Sequence, residues 1–145
     1  MINKIINWLS WPLIYLVVNN SERTRVLIIE DKKLLVVQGW INDGKWQLPG
    51  GGKKSNESFV NAAIRELHEE TNLKVEAHEL EESDVVPISE NKIKYICHFF
   101  ILKNTNLVDI KPQHEIRKIK WIDFDSINKN NFSKDILAGI KLVNR

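Results

Sequence analysis

The stretch GGKKSNESFVNAAIRELHEETNL, from Gly51 to Leu73, constrains this chain more than any other. It starts in the run Pro49-Gly50-Gly51-Gly52 and passes into a segment with helical spacing. Val60, Ala63, Ile64 and Leu67 recur at i, i+3, i+4 and i+7, the buried stripe of an amphipathic helix. Ser55 or Asn56 is expected as the N-cap, because its side-chain oxygen can accept a free first-turn N–H. Glu57 then falls in the first turn, where the helix dipole favours an anion. Asn72 suits the position that stops the helix, since asparagine tolerates the left-handed conformation.

The acids on this helix run against stability. Glu66, Glu69 and Glu70 stand at i, i+3 and i+4 and share one face. They occupy the last two turns, where the dipole disfavours negative charge. Two carboxylates about 6 Å apart repel by roughly 3 kcal/mol at an effective dielectric near 20. A bound divalent cation removes that penalty, because hard carboxylate oxygens suit Mg²⁺ or Mn²⁺. The plain alternative is a solvated acidic face. The glycine run before the helix and Arg65 within it favour the metal.

The spacing of Gly51, Glu57, Arg65-Glu66-Leu67, Glu69-Glu70 and Leu73 resembles the Nudix box, Gly-x5-Glu-x7-Arg-Glu-aliphatic-x-Glu-Glu-x-Gly-aliphatic. The lead-in Trp46-Gln47-Leu48-Pro49-Gly50-Gly51 resembles that family as well. Asn72 stands where the family has glycine, a mild departure because both residues accept the left-handed cap. With its flanking strands the resemblance extends over residues 23–143. It implies an α/β (α+β) Nudix fold, a mixed β-sheet sandwiched between helices in an α/β/α arrangement.

Bulk properties fit one domain with a real core: 145 residues and a formal net charge of +2. That charge is too small to argue for nucleic acid or membrane. The single cysteine, Cys97, excludes an internal disulfide and reads as an inert buried thiol. A cytoplasmic location is expected.

Residues 1–22 form an apolar N-terminal extension, and 23–145 the catalytic domain. The extension is too short and broken for a membrane span. Ile2, Ile5, Ile6 and Leu9 follow helical spacing, and Pro12 is expected to end that helix. An extended segment should follow, packed on the domain or on a second subunit in a homodimer. A membrane-surface anchor using Trp8 and Trp11 is the less favoured reading.

Strands are expected at Arg25–Glu30, Leu34–Gln38, Lys74–His78, Val85–Ser89, Lys92–Lys103 and Ile116–Ile122, with turns at Asp31-Lys32-Lys33 and Asn91. Leu80–Asp84 is acidic and fits no single pattern. A helical turn is expected near Asp125–Ile127, and Ser133 should cap a last helix whose apolar side is Ile136, Leu137, Ile140 and Leu142.

The resemblance assigns the metals to Glu66, Glu69 and Glu70, with the Gly51 carbonyl as a further ligand. Glu57 and Arg65 support the site as an ion pair. A further carboxylate often comes from a loop beyond the sheet. Glu115 is the candidate ligand or general base, with His114 the alternative and Glu90 a weaker one. For stacking a base, Trp40, Phe99, Phe100 and Trp121 are candidates, with Trp40 and Phe99 preferred, while Trp46 and Trp121 read as structure. The implied activity is Mg²⁺-dependent cleavage, with Mn²⁺ as substitute, of the diphosphate bond of a nucleoside diphosphate linked to another moiety. The alternatives are a housecleaning nucleoside triphosphate pyrophosphohydrolase and, from another class, a nucleotide sensor without catalysis. The expected partner is a nucleotide-type small molecule rather than a nucleic-acid polymer or a membrane.

Overall fold

The computed structural model describes residues 12–13, 15–41, 44–102, 107 and 109–144. Five strands form one mixed sheet: β1 (Ser21–Glu30), β2 (Lys33–Gly39), β3 (Leu80–Glu90), β4 (Ile93–Leu102) and β5 (Ile116–Asp123), in the order β3-β4-β1-β2-β5. Only β1 and β4 run parallel, from Ser21 opposite Tyr95 to Ile28 opposite Leu102. The hairpins β1-β2 and β3-β4 turn on Asp31-Lys32 and Asn91-Lys92, all four at positive φ. That pair of left-handed residues matches the natural twist of a two-residue hairpin.

Helix α1 (Phe59–Thr71) packs on one face of the sheet and α2 (Lys134–Val143) on the other. Neighbouring strand residues point to opposite faces, so Val26 and Ile28 of β1 join Ala63 and Leu67 of α1. Leu27, Leu34, Val36 and Phe99 join Ile136 of α2 on the other side. This is the α/β/α sandwich that the sequence implies. Cys97 is free and buried, its thiol pushed up to about 12 by burial, which makes it inert.

Strands β1 and β2 pair beside their turn, at Ile29–Leu34 and Glu30–Lys33. Farther along, segment 47–52 takes partners from both. Gln47 and Val37 exchange two backbone hydrogen bonds of 2.9 Å. On β1, Val26 N–H donates to the Pro49 carbonyl at 2.9 Å and Thr24 N–H to the Gly51 carbonyl at 2.8 Å. The glycine run is thus held as part of the sheet, under the C-terminal half of α1.

Several local expectations are corrected. Ser58 is the N-cap of α1, accepting the Asn61 N–H at 3.2 Å, so Glu57 lies outside the helix. Asn72 does end it, at φ 65°, with its N–H on the His68 carbonyl. Residues 74–78 form no strand. Glu76 and Glu79 close a capping box around a 3₁₀ turn, Ala77–Glu79. The acidic Leu80–Asp84 instead opens β3, an edge strand that tolerates Pro87 because its outer side needs no ladder.

Residues 15–18, expected to be extended, are helical. Pro12 and Leu13 are helical as well, and whether Pro12 ends a helix before it falls on residues outside the described ones. Leu13, Tyr15, Leu16 and Val17 are exposed, not packed on the domain. The proposed helix over Ile2–Leu9, with Trp8 and Trp11, lies outside the described residues. Among the described residues no helix is long and apolar enough to cross a membrane.

Candidate active site

Arg65 is the hub that ties helix to loop. Its guanidinium grips both carboxylate oxygens of Glu57, at 2.8 and 3.0 Å, and donates to the Gly52 carbonyl at 2.9 Å. Its Nη1 reaches Glu66 at 2.8 Å and Glu69 at 3.1 Å. Glu57 accepts the Lys54 N–H at 3.0 Å as well. The Arg65 fork holds the Glu57 carboxyl well below the usual range, down to about 2.

Glu66 and Glu70 lie against the glycine run. The Glu66 carboxylate fills the space a side chain at Gly51 would need, since a Cβ there would come within 2.5 Å of it. Glu70 is buried, and its Oε2 accepts the Gly50 N–H at 2.8 Å. Burial pushes its carboxyl up to about 8, against the pull of the Gly50 N–H and Arg25 and with the push of Glu66. Gly50 has φ +134°, and a Cβ there would meet the Thr24 carbonyl oxygen at 2.2 Å, so only glycine fits. The Gly51 carbonyl, expected as a ligand, is engaged by the Thr24 N–H at 2.8 Å and more loosely by its hydroxyl at 3.4 Å.

A cavity of about 630 Å³ opens beside this loop, lined by Glu70, Arg23, Arg25, Trp40, Ile41, Lys45, Glu90, Tyr95, His114 and Glu115, among others. Glu66 and Glu69 do not line it. Among the described residues no three acidic, imidazole or thiol groups stand together as a ready metal cage. Glu66 and Glu69 are turned toward Arg65, and Glu70 toward Gly50.

Glu115 and His114 are exposed and line the cavity; the Gln113 N–H beside them donates to the Glu70 carbonyl at 3.2 Å, and the Trp40 N–H to the Glu115 carbonyl at 3.0 Å. Trp40 is 56% exposed, with the Arg117 guanidinium 5.6 Å from its ring. Glu90 is a structural acid. It holds Lys45 Nζ at 2.6 Å and the first N–H of α2, Lys134, at 3.1 Å. Phe99 is corrected. It is fully buried on the α2 side of the sheet and does not reach the cavity. Phe100 is equally buried on the α1 side, and Trp46 and Trp121 are half-buried against the two cores.

The sequence reading missed the cationic wall. Arg25 is buried, binds Asp135 of α2 through Nε at 2.5 Å and donates from Nη1 to the Gly50 carbonyl. Asp135 is itself fully buried, fixed by the Ser133 hydroxyl and the Ile136 N–H. Arg23 lies close to Glu66 and Glu70, its pKa lowered mainly by burial. The available signal was two arginines at i and i+2 entering an apolar strand, which places both on one face.

Residues 20–140 match the model of the NUDIX domain. The RNA pyrophosphohydrolase of Pelagibacter ubique is 33% identical, the match covering 81% of this chain and 89% of that protein. The m7GpppN-mRNA hydrolase of Saccharomyces cerevisiae is 29% identical over 72% of this chain, which corresponds to 11% of its own length. Among solved structures, a MutT NUDIX hydrolase from Burkholderia pseudomallei superposes with a TM-score of 0.75 at 17% identity, over 86% of this chain and 98% of that one. A bifunctional NMN adenylyltransferase/ADP ribose pyrophosphatase from Francisella tularensis, complexed with AMP and a Mn ion, gives 0.72 at 23% identity, over 98% of this chain and 46% of that one. With the box, the sandwich and these matches together, this chain belongs to the Nudix hydrolase family.

Proposed function

We propose that the chain is a divalent-metal-dependent pyrophosphohydrolase acting on a nucleoside diphosphate linked to another moiety. The observation that carries this reading is Glu70: a carboxylate buried beneath a glycine loop, opposed by Glu66, at the edge of a cavity walled by arginine. An anion left in that position is costly, and a hard cation offsets the cost. The acids supply the hard oxygen donors that Mg²⁺ or Mn²⁺ takes, and Glu66 and Glu69 would turn from Arg65 to converge with Glu70. Glu66, Glu69 and Glu70 would hold it, with the Gly51 carbonyl contributing only what Thr24 leaves free. Bound metal would neutralise diphosphate oxygens and acidify a water.

The protein's own groups do the rest. Arg65 holds Glu66 and Glu69 in position and ties them to the loop. Arg23 offers a desolvated positive charge to a phosphate. Trp40 offers an exposed ring face for a base, backed by Arg117. Glu115, which lines the same cavity, would accept a proton from water.

A second reading extends the substrate to the 5′-phosphates of RNA, although the residues alone point to a small molecule. It is favoured by the 33% identity to a protein named RNA pyrophosphohydrolase. One screen separates the two. Nucleoside diphosphate conjugates, nucleoside triphosphates and a 5′-triphosphorylated oligoribonucleotide are offered with Mg²⁺ and with Mn²⁺, and products are identified by mass. Turnover of the oligoribonucleotide alone would replace the small-molecule reading. No turnover of any substrate with either metal would leave a binding module.

A further inference from the structure

The apolar segment before β1 is expected to pack on the domain or on a second subunit, and of its described residues 12, 13 and 15–18 only Val18 packs on the domain core. Leu13, Tyr15, Leu16 and Val17 are 66%, 40%, 77% and 65% exposed. Val18 alone among residues 15–18 turns inward, against the core of the α2 face. The segment is nevertheless fastened firmly. The Asn20 N–H donates to the Lys94 carbonyl at 2.6 Å, the Lys94 N–H to Asn19 Oδ1 at 3.0 Å, and the Ser21 hydroxyl to the Val18 carbonyl at 2.6 Å. A fixed base thus presents three aliphatic side chains and one aromatic ring to the outside.

At about 100° per residue, Tyr15, Leu16 and Val17 alone fan over roughly 200° of the helix circumference. A helix that docks on one protein surface needs an apolar stripe only about 100° wide. So broad an arc suits a continuous apolar medium. The neighbouring sequence points the same way. Trp8, Trp11 and Tyr15 are side chains that settle at the headgroup level, and Lys4 is the only charge before Glu22. Lys94, whose backbone anchors Asn19 and Asn20, and Lys92 at the adjoining turn are both exposed, and their charge complements anionic headgroups.

We infer that this segment docks the enzyme on the surface of a lipid bilayer, one containing anionic lipid, without spanning it. The four apolar side chains enter the interface and the two lysines face the headgroups.

The test is co-sedimentation of the full chain with vesicles of phosphatidylcholine, with and without phosphatidylglycerol. The wild type should pellet with both and more tightly with the anionic set. Leu13→Asp with Leu16→Asp should raise the lipid concentration for half-binding at least about tenfold on both. Lys92→Glu with Lys94→Glu should weaken binding to the anionic vesicles only. None of these residues lines the cavity or sits in a core, so unfolding without lipid should match the wild type in every variant. Wild type that stays in the supernatant at all lipid concentrations overturns the inference, as does an unchanged Leu13→Asp/Leu16→Asp variant. Sedimentation without lipid checks the remaining occupant. A dimer that the aspartates dissociate, with no vesicle binding, would assign this face to a second copy of the chain.

Discussion

The Glu66 carboxylate rests on the α-carbon of Gly51, so close that a methyl group at 51 would sit 2.5 Å from its carbon and one oxygen and 2.6 Å from the other. The obstacle is the far end of a flexible side chain, which can swing away. Gly51→Ala should therefore fold, with stability within about 1 kcal/mol of wild type. The displaced carboxylate should cost at least tenfold in rate, on the order of the 1.4 kcal/mol per decade that transition-state arithmetic gives. Gly50→Ala is the control. It meets the Thr24 backbone at 2.2 Å with φ +134°, and should lose about 3 kcal/mol or more of stability. Chemical denaturation beside rate measurement separates the two.

Arg65→Lys tests the fork. A lysine cannot grip both Glu57 oxygens and still reach Gly52 and Glu66. The group is partly exposed, so the loss should be only about 1–2 kcal/mol. Glu57 adds a pH signature. Its carboxyl is lowered from 4.5 to about 2 in the fold, so its stabilisation is present above pH 4.5 and lost as pH falls toward 2. The Arg65→Lys variant should lose less stability than wild type across that window. Equal slopes in acid would rule out this pair as the source.

Trp40→Ala addresses the cavity rim. The ring is 56% exposed, so the fold should barely notice. If it stacks a base in ground and transition state alike, KM should rise several-fold with kcat unchanged. A fall in kcat alone would place Trp40 nearer the chemistry than its position on the rim suggests.

What the sequence could disclose follows from how local each determinant is. Helix α1 was readable because Val60, Ala63, Ile64 and Leu67 carry its period themselves. Its first residue was not, because Ser55, Asn56 and Ser58 are all good caps. Ser58 takes the role while Glu57 is held outside the helix by the Arg65 fork. The box acids were readable from spacing alone, yet not their present partners. Arg25 and Asp135 lie 110 positions apart, and no periodicity joins them. Phe99 was misplaced for a related reason. Phe99 and Phe100 are both buried, so β4 there lacks the alternation that tells core from surface.

Glu70 supplies the last prediction, and its sign can be worked out. In the fold its carboxyl is raised from 4.5 to about 8, mainly by burial. Between those values the folded chain holds a proton that the unfolded chain has released. Stability of the metal-free protein should therefore fall as pH rises from about 4.5 to about 8. Glu70→Gln keeps the shape without the titration, so its profile should be flatter and its stability at pH 8 equal to or above wild type. Mn²⁺ binding requires the ionised carboxylate, so at pH 7 the wild type should release close to one proton per metal bound, and the variant fewer. Metal should also raise the unfolding temperature of the wild type more, because linkage stabilisation shrinks as Kd rises. Chelator should erase that difference and abolish turnover. Unfolding from pH 4 to 9, and calorimetry in two buffers of different ionisation enthalpy, provide the measurements. A Glu70→Gln protein that is strongly destabilised at pH 8 without metal would mean that the carboxylate is a structural anion serving Arg25 and the Gly50 amide, and the metal assignment would have to move to Glu66 and Glu69.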